Sequence, residues 1–395
     1  MNRRSFLDWT AHGLGSAAVA SLMLRDGSLS VEAATPGESL PRCPHFAPKA
    51  TRAIHICLCG AMSHIDSFDY KPQLIKSHGQ SLQSSERPDV FFGKVGLLRK
   101  PDWPYRARGE SGLMVSDLFP EIGGVVDDLT IINSMYAETS NHTPATFQQN
   151  TGFRLNGFPV LGSWLSYGLG SEADDLPAYV VIPDAREWPA GGSINWTNGF
   201  LSARHQGVVI RSSSSGPPID DLTPARPLPE GADQAAFDLI RRMNQRHLHA
   251  HDGDDLLAAR ARTYELAARM QLAVPEVTRL DAESKETQTL YGLDQEESAE
   301  FGRGCLVARR LLERGVRFVQ LFSGGTFGSP RRNWDGHENM KENHGQEARR
   351  IDRPVAGLIL DLKRRGMLDD TLVLISTEFV STPFTQSDSN ILGAG

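Results

Sequence analysis

Ala53-Ile54-His55-Ile56-Cys57-Leu58-Cys59-Gly60 is apolar almost throughout, and the chain turns polar directly behind it, in Ala61-Met62-Ser63-His64-Ile65-Asp66-Ser67-Phe68-Asp69. A continuous apolar run of this length, closed by glycine, reads as a strand buried on both faces, the habit of a parallel sheet covered by helices. Open parallel sheets bind ligands beyond the carboxyl ends of their strands. His64, Asp66 and Asp69 fall in that position. Asp66 is expected to ligate a divalent metal. His64 reads equally as a ligand or a turn residue, and Asp69 as a cap. Cys57 and Cys59 share one strand face and are expected to pack in the core rather than hold a metal.

The same grammar recurs along the chain. Residues 177–183 form a second apolar strand. Residues 316–322 form a third, ending in Ser323-Gly324-Gly325, and residues 371–376 a fourth, followed by Thr377 and Glu378. Helix patterns over residues 301–312 and 346–365 close at Gly315 and Gly366 and alternate with those strands. The fold expected is α/β, a three-layer sandwich around a mostly parallel central sheet. Residues 77–112 read as a long surface loop, residues 114–122 as the start of an amphipathic helix, and residues 129–132 as a strand. Leu161, Trp164 and Leu165 make an i, i+3, i+4 helix face. Residues 189–211 have loop composition with exposed aromatics and suit either a cleft lining or an ordinary surface loop. A Ser/Pro-rich connector precedes two helices, at 235–248 and 256–272, which read as a helical insertion at about residues 230–300.

Ser140-Asn141-His142-Thr143-Pro144 leads into a further helix, so backbone N–H groups and a positive helix end gather near His142, an anion site in the making. Asn333-Trp334-Asp335-Gly336-His337 supplies a second candidate ligand pair beyond a strand, with His344 seven residues on. Glu378 is a further acidic group at a strand's carboxyl end.

The 395-residue chain carries a formal charge of −7, which argues against a nucleic-acid surface, and its four cysteines (Cys43, Cys57, Cys59, Cys305) make no disulfide framework. At the N-terminus, Asn2-Arg3-Arg4-Ser5-Phe6-Leu7 places twin arginines before a weakly apolar stretch and a small-residue site at Ala33-Ala34. This reads as a twin-arginine (Tat) export signal over residues 1–34, which makes the Tat machinery a partner and the periplasm or exterior the destination. The apolar stretch is short for a membrane span. Residues 35–50 read as a proline-rich linker, and residues 51–395 as one domain.

These motifs carry two resemblances. His142-Thr143-Pro144-Ala145-Thr146, followed by Thr151-Gly152, is similar in frame to the sulfatase signature around a Cys or Ser nucleophile, with histidine in the nucleophile's place. The Tat signal, Ser63-His64-Ile65-Asp66-Ser67-Phe68-Asp69, Asn141-His142-Thr143-Pro144, Leu161-Gly162-Ser163-Trp164, Trp334-Asp335-Gly336-His337 and Glu378-Phe379 together resemble the DUF-1501 family, placed in the alkaline phosphatase and sulfatase superfamily. The resemblance implies an alkaline-phosphatase-like fold and metal-dependent hydrolysis of phosphate or sulfate esters, of small molecules or polysaccharide. It implies His64, Asp66, Asp335, His337 and Glu378 as ligands of a divalent ion (Zn, Mn, Fe or Ca), and His142 with Thr143 at the catalytic position. Val380-Ser381 stands where the family reads Gly-Arg, and the family's downstream Gly-Arg-Asp-His segment has no counterpart. That implies a domain incomplete at its C-terminus and favours, as an alternative, a non-catalytic envelope binding protein.

Overall fold

The computed structural model describes residues 46–84, 88, 95–213, 216–220, 229, 231–250, 255–326, 332–337 and 339–385. The export signal and most of the linker expected from the sequence lie outside them. The chain divides into two units, residues 1–48 and 49–395, and the described sheets and helices all belong to the second.

The centre of this second unit is a five-stranded parallel sheet. The strands are β1 (Arg52–Leu58), β4 (Tyr179–Ile182), β5 (Val208–Val209), β6 (Phe318–Ser323) and β7 (Thr371–Thr377), in the order β5-β4-β6-β1-β7. The four apolar runs of the sequence are four of these strands. Register places Ile54 between Val319 and Val373, and His55 between Gln320 and Leu374. Side chains alternate across the sheet. Ile54, Ile56, Leu58, Val180, Val319 and Leu321 therefore face one apolar layer, and Cys57, Cys59, Tyr179, Val181, Phe318 and Phe322 the other.

Two long helices cover the first face: α8 (Glu296–Glu313) and α9 (Met340–Arg364). The apolar stripe of α9 runs Ile351, Val355, Leu358, Ile359 and Leu362, at helical spacing. Beyond α8, Gly315 takes the left-handed conformation (φ 86°) that ends the helix. The opposite face carries α3 (His142–Thr151) and α4 (Leu161–Leu169). Helices α5 (Ala232–Ala250) and α6 (Asp255–Thr278) form the expected helical segment. Met270, Ala273, Val274 and Val277 of α6 belong to the main core, so the segment is rooted in the domain. Two short helices are α1 (Pro72–Lys76) and α7 (Lys285–Leu290).

Several local expectations are corrected. Residues 105–116, divided between an expected loop and an expected helix, form an antiparallel hairpin of β2 (Tyr105–Arg108) and β3 (Leu113–Ser116). Helix begins only at α2 (Pro120–Gly123), because proline disfavours helix at the residue before it and fits the first turn. Asp352 of α9 caps that turn, accepting from the N–H groups of Glu121 (2.9 Å) and Ile122 (2.8 Å). Residues 129–132 are not a strand, and Ile132 is exposed: a four-residue apolar run with no strand beside it gains no ladder. In α4 the expected apolar face is split: Leu165 packs against the second core layer. Leu161 and Trp164 are exposed while Gly162, Ser163 and Ser166 face the sheet, since a side chain at Gly162 would meet the Tyr179 ring at 2.6 Å. In the 189–211 loop Phe200 is exposed, as is Trp188 just before it, but Trp196 is core.

Candidate metal centre

The loops that follow β1, β6 and β7 converge with the first turn of α3. Behind β1, Gly60 adopts φ 116° and lies against the backbone of Trp334 and Asp335. The N–H of Trp334 donates to the Cys59 carbonyl at 2.8 Å, which lays the loop after β6 across the end of β1. Asn333, fully buried, accepts from the Asp335 N–H through Oδ1 (3.0 Å), a local turn that aims the Asp335 side chain. At the start of α3, Asn141 caps the helix by accepting from the Thr143 N–H (3.2 Å).

These elements bring His142, Asp335 and His337 together. Their ligand atoms lie within 4.8 Å of one another, a set able to hold a metal ion. His337 Nε2 is 2.9 Å from Asp335 Oδ1, and His142 Nε2 is 3.8 Å from Asp335 Oδ2. Behind His142 stands Glu378, whose side chain is 1 % exposed. Its Oε1 lies 2.7 Å from His142 Nδ1 and accepts from the Gly60 N–H at 2.8 Å, while Oε2 accepts from the Thr377 hydroxyl at 3.1 Å. A carboxylate only accepts, so Nδ1 of His142 donates to Glu378, and Nε2 is the nitrogen on the Asp335 side. Phe379 lies against the imidazole, ring centroids 4.7 Å apart.

Glu378, expected as a ligand, falls outside that set and bonds His142 Nδ1 instead, the placement a carboxylate commonly takes behind a metal-bound imidazole. Asp66, also expected as a ligand, lies elsewhere. It is fully buried, with Oδ2 accepting from the Ser63 hydroxyl (2.7 Å) and Oδ1 from the Asp102 N–H (2.6 Å). Burial raises its pKa. Oδ1 thus pins the 99–102 segment to the turn after β1, and Oδ2 is engaged within that turn. His64 stands beside Asp69 and Lys71, and burial lowers it to about 4. His344 is buried in α9, with Nε2 accepting from the Ser63 N–H at 2.9 Å. At the start of α3, where an anion site was expected, the Thr143 N–H is taken by Asn141 and Pro144 has none, which reduces the backbone donors there. Cys57 and Cys59 are core residues. Burial pushes the Cys57 thiol up to about 12 and Cys59 well above its usual range, Glu378 adding to both, so neither acts as a thiolate.

The sequence reading missed one cluster. Asp184, two residues past β4, accepts from the Gly324 N–H (2.8 Å) and from Arg186, which also forms two bonds to Glu347 of α9. Burial works to raise Asp184, but Arg186 and Arg350 prevail and hold it below the usual carboxylate range. The cluster fixes the first residue of the loop that delivers Asp335. Its only signal in the sequence was an acid just beyond a strand.

The family described as a protein of unknown function (DUF1501) matches residues 50–391. The chain belongs to that family. The DUF1501 match spans β1, β4, β6, β7 and every residue of the centre, so the resemblance seen in the motifs holds over the whole domain. No curated protein and no solved structure matches the chain. Among the described residues no helix is long and apolar enough to cross a membrane.

Proposed function

We propose that this DUF1501 chain is an exported hydrolase of phosphate or sulfate esters that uses one divalent transition metal held by His142, Asp335 and His337. The observation that carries the reading is the convergence of two imidazoles and a carboxylate beyond the strand ends, one imidazole backed by a buried carboxylate. That donor set fits Zn, Fe or Mn. It suits calcium poorly, which prefers six to eight oxygens. A bound ion would polarise the ester oxygen and make water a nucleophile at neutral pH, so no serine or cysteine is needed at position 142. The chain's own part is to hold the three donors in place and to keep the proton off His142 Nε2 by fixing the tautomer from Glu378. His337, 31 % exposed, is the open side by which an ester would approach. The parallel sheet with helices on both faces is compatible with an alkaline-phosphatase-like fold, which belongs to this proposal.

Elemental analysis of the purified protein tests it. About one transition-metal ion per chain is expected, lost in Asp335→Ala and retained in Asp66→Ala, with ester hydrolysis following the metal. Asp66→Ala should instead lower stability by about 2–3 kcal/mol, because two buried donors lose their acceptor. Well-folded wild-type protein without metal would sink the hydrolase reading and leave the second one, a non-catalytic binding protein. That alternative draws on His142 standing where sulfatases carry a nucleophile.

The export half of the proposal rests on Arg3-Arg4 before Phe6-Leu7. Changing Arg3→Lys together with Arg4→Lys should leave precursor in the cytoplasm on cell fractionation. Normal export of that variant would remove the Tat assignment.

A further inference from the structure

The helix that carries His142 is held to the sheet by hydrogen bonds. Among the described residues, none of the ten in α3 belongs to either apolar cluster. Apart from Ala145, its buried side chains are polar. Gln149 Nε2 donates to Ser376 Oγ of β7 at 2.6 Å, and the same hydroxyl lies 2.8 Å from His55 Nε2 of β1. Asn150 Oδ1 accepts from Gln320 Nε2 of β6 at 2.7 Å, while Asn150 Nδ2 donates to the Thr146 carbonyl and to Asn195 Oδ1. Gln320 Oε1 in turn accepts from the Tyr179 hydroxyl of β4. His55, Asn150, Tyr179 and Gln320 are all buried, and burial lowers His55 to about 4, so the network is neutral.

Apolar packing has no preferred direction, whereas hydrogen bonds fix distance and angle. A helix resting on an oily surface can roll or slide at small cost; one tied to named atoms on several strands has one seat. Asn150 lies eight residues past His142, roughly 12 Å along the helix axis, so a roll or slip at one end displaces the imidazole at the other. Thr146 Oγ1, bonded to the His142 carbonyl at 2.8 Å, stiffens the turn between them.

We propose that Asn150 with Gln320, and Gln149 with Ser376, are positioning residues that set where His142 Nε2 stands relative to Asp335 and His337. The consequence for metal binding rests on the metal reading above; the placement of the imidazole does not. The test is a triple variant, Gln320→Met with Asn150→Leu and Tyr179→Phe, which replaces a hydrogen-bonded set by apolar groups of similar size. Gln149→Met, at a half-buried site, is the milder second variant. In metal-free wild type, a downfield ring N–H resonance should report the His142–Glu378 bond, assigned by its absence in His142→Gln. Both variants should remain folded by circular dichroism and shift or lose that resonance. They should also bind cobalt(II) about ten-fold or more weakly, with altered visible bands. Folded variants with an unchanged resonance and cobalt affinity within about two-fold of wild type would overturn the proposal. If wild type takes up no cobalt but the resonance still depends on these residues, the positioning role stands and the metal reading falls.

Discussion

Gly60→Ala is expected to lower stability by about 2–5 kcal/mol and, with it, to abolish the proposed metal binding. Two effects add. At φ 116° an L-residue is strained. The new Cβ would also fall among backbone atoms, 2.6 Å from the Trp334 nitrogen and closer still to that of Asp335. Backbone cannot rotate away as the end of a flexible side chain can, so the loop carrying Asp335 must retreat. The Gly60 N–H, which holds Glu378 at 2.8 Å, retreats with it. Gly79→Ala is the control: φ is 78° there and the added carbon meets nothing within 4 Å, so only the conformational strain of about 1 kcal/mol remains. Urea unfolding and metal titration of the two variants measure the difference. A Gly60→Ala protein as stable as Gly79→Ala, with its metal, would show that the close approach of the two loops is dispensable.

Glu378→Ala is expected to weaken metal binding by about 10- to 100-fold while leaving all three ligands in the chain. The change strips the buried Gly60 N–H and the His142 Nδ1–H of their acceptor. Without it the imidazole can turn and place its proton on Nε2, the nitrogen that should face the metal. The unpaired donors should also lower stability by about 2–4 kcal/mol. Glu378→Gln separates the two consequences. Its amide oxygen can still accept from both donors, and the Thr377 hydroxyl can turn to accept from the new NH₂ group. Stability should then stay near wild type, while the loss of negative charge makes His142 a weaker ligand, by about ten-fold. Affinities from chelator competition give the ranking wild type, then Glu378→Gln, then Glu378→Ala. Equal affinities in all three would remove Glu378 from the centre.

Both predictions turn on groups far apart in the chain, and this marks how far the sequence could be read. Strands β1, β4, β6 and β7 were legible because each is a short, nearly uninterrupted apolar run; the first three are buried, and β7, at the sheet edge, leaves Leu372 and Leu374 exposed. Helices α8 and α9 were legible from their spacing and from Gly315 and Gly366 behind them, and family membership from motifs that recur in order. Asp335 and His337 were picked out as an Asp-x-His turn beyond a strand, and His142 as the residue at a helix start.

Their roles were another matter. Asp66 and Glu378 look alike in sequence, each an acid in a turn just past an apolar strand. Ser63 and the Asp102 N–H claim both oxygens of the first, and Gly60, Thr377 and His142 claim those of the second. Asp102 is 36 residues from Asp66, and Gly60 is 318 from Glu378. A carboxylate has no periodicity of its own, so what it does is set by the donors that arrive around it. Residues 105–116 failed for a related reason: Tyr105–Arg108 has no apolar run, Leu113–Ser116 carries too few alternations to outweigh a helical reading, and the two strands exist only through each other. The order of residues settles where the long strands and helices lie, because their periods and buried apolar runs are properties of neighbours along the chain. Folding alone settles which acid faces His142 and which serves a turn, because that depends on hydrogen-bond donors brought in from distant residues.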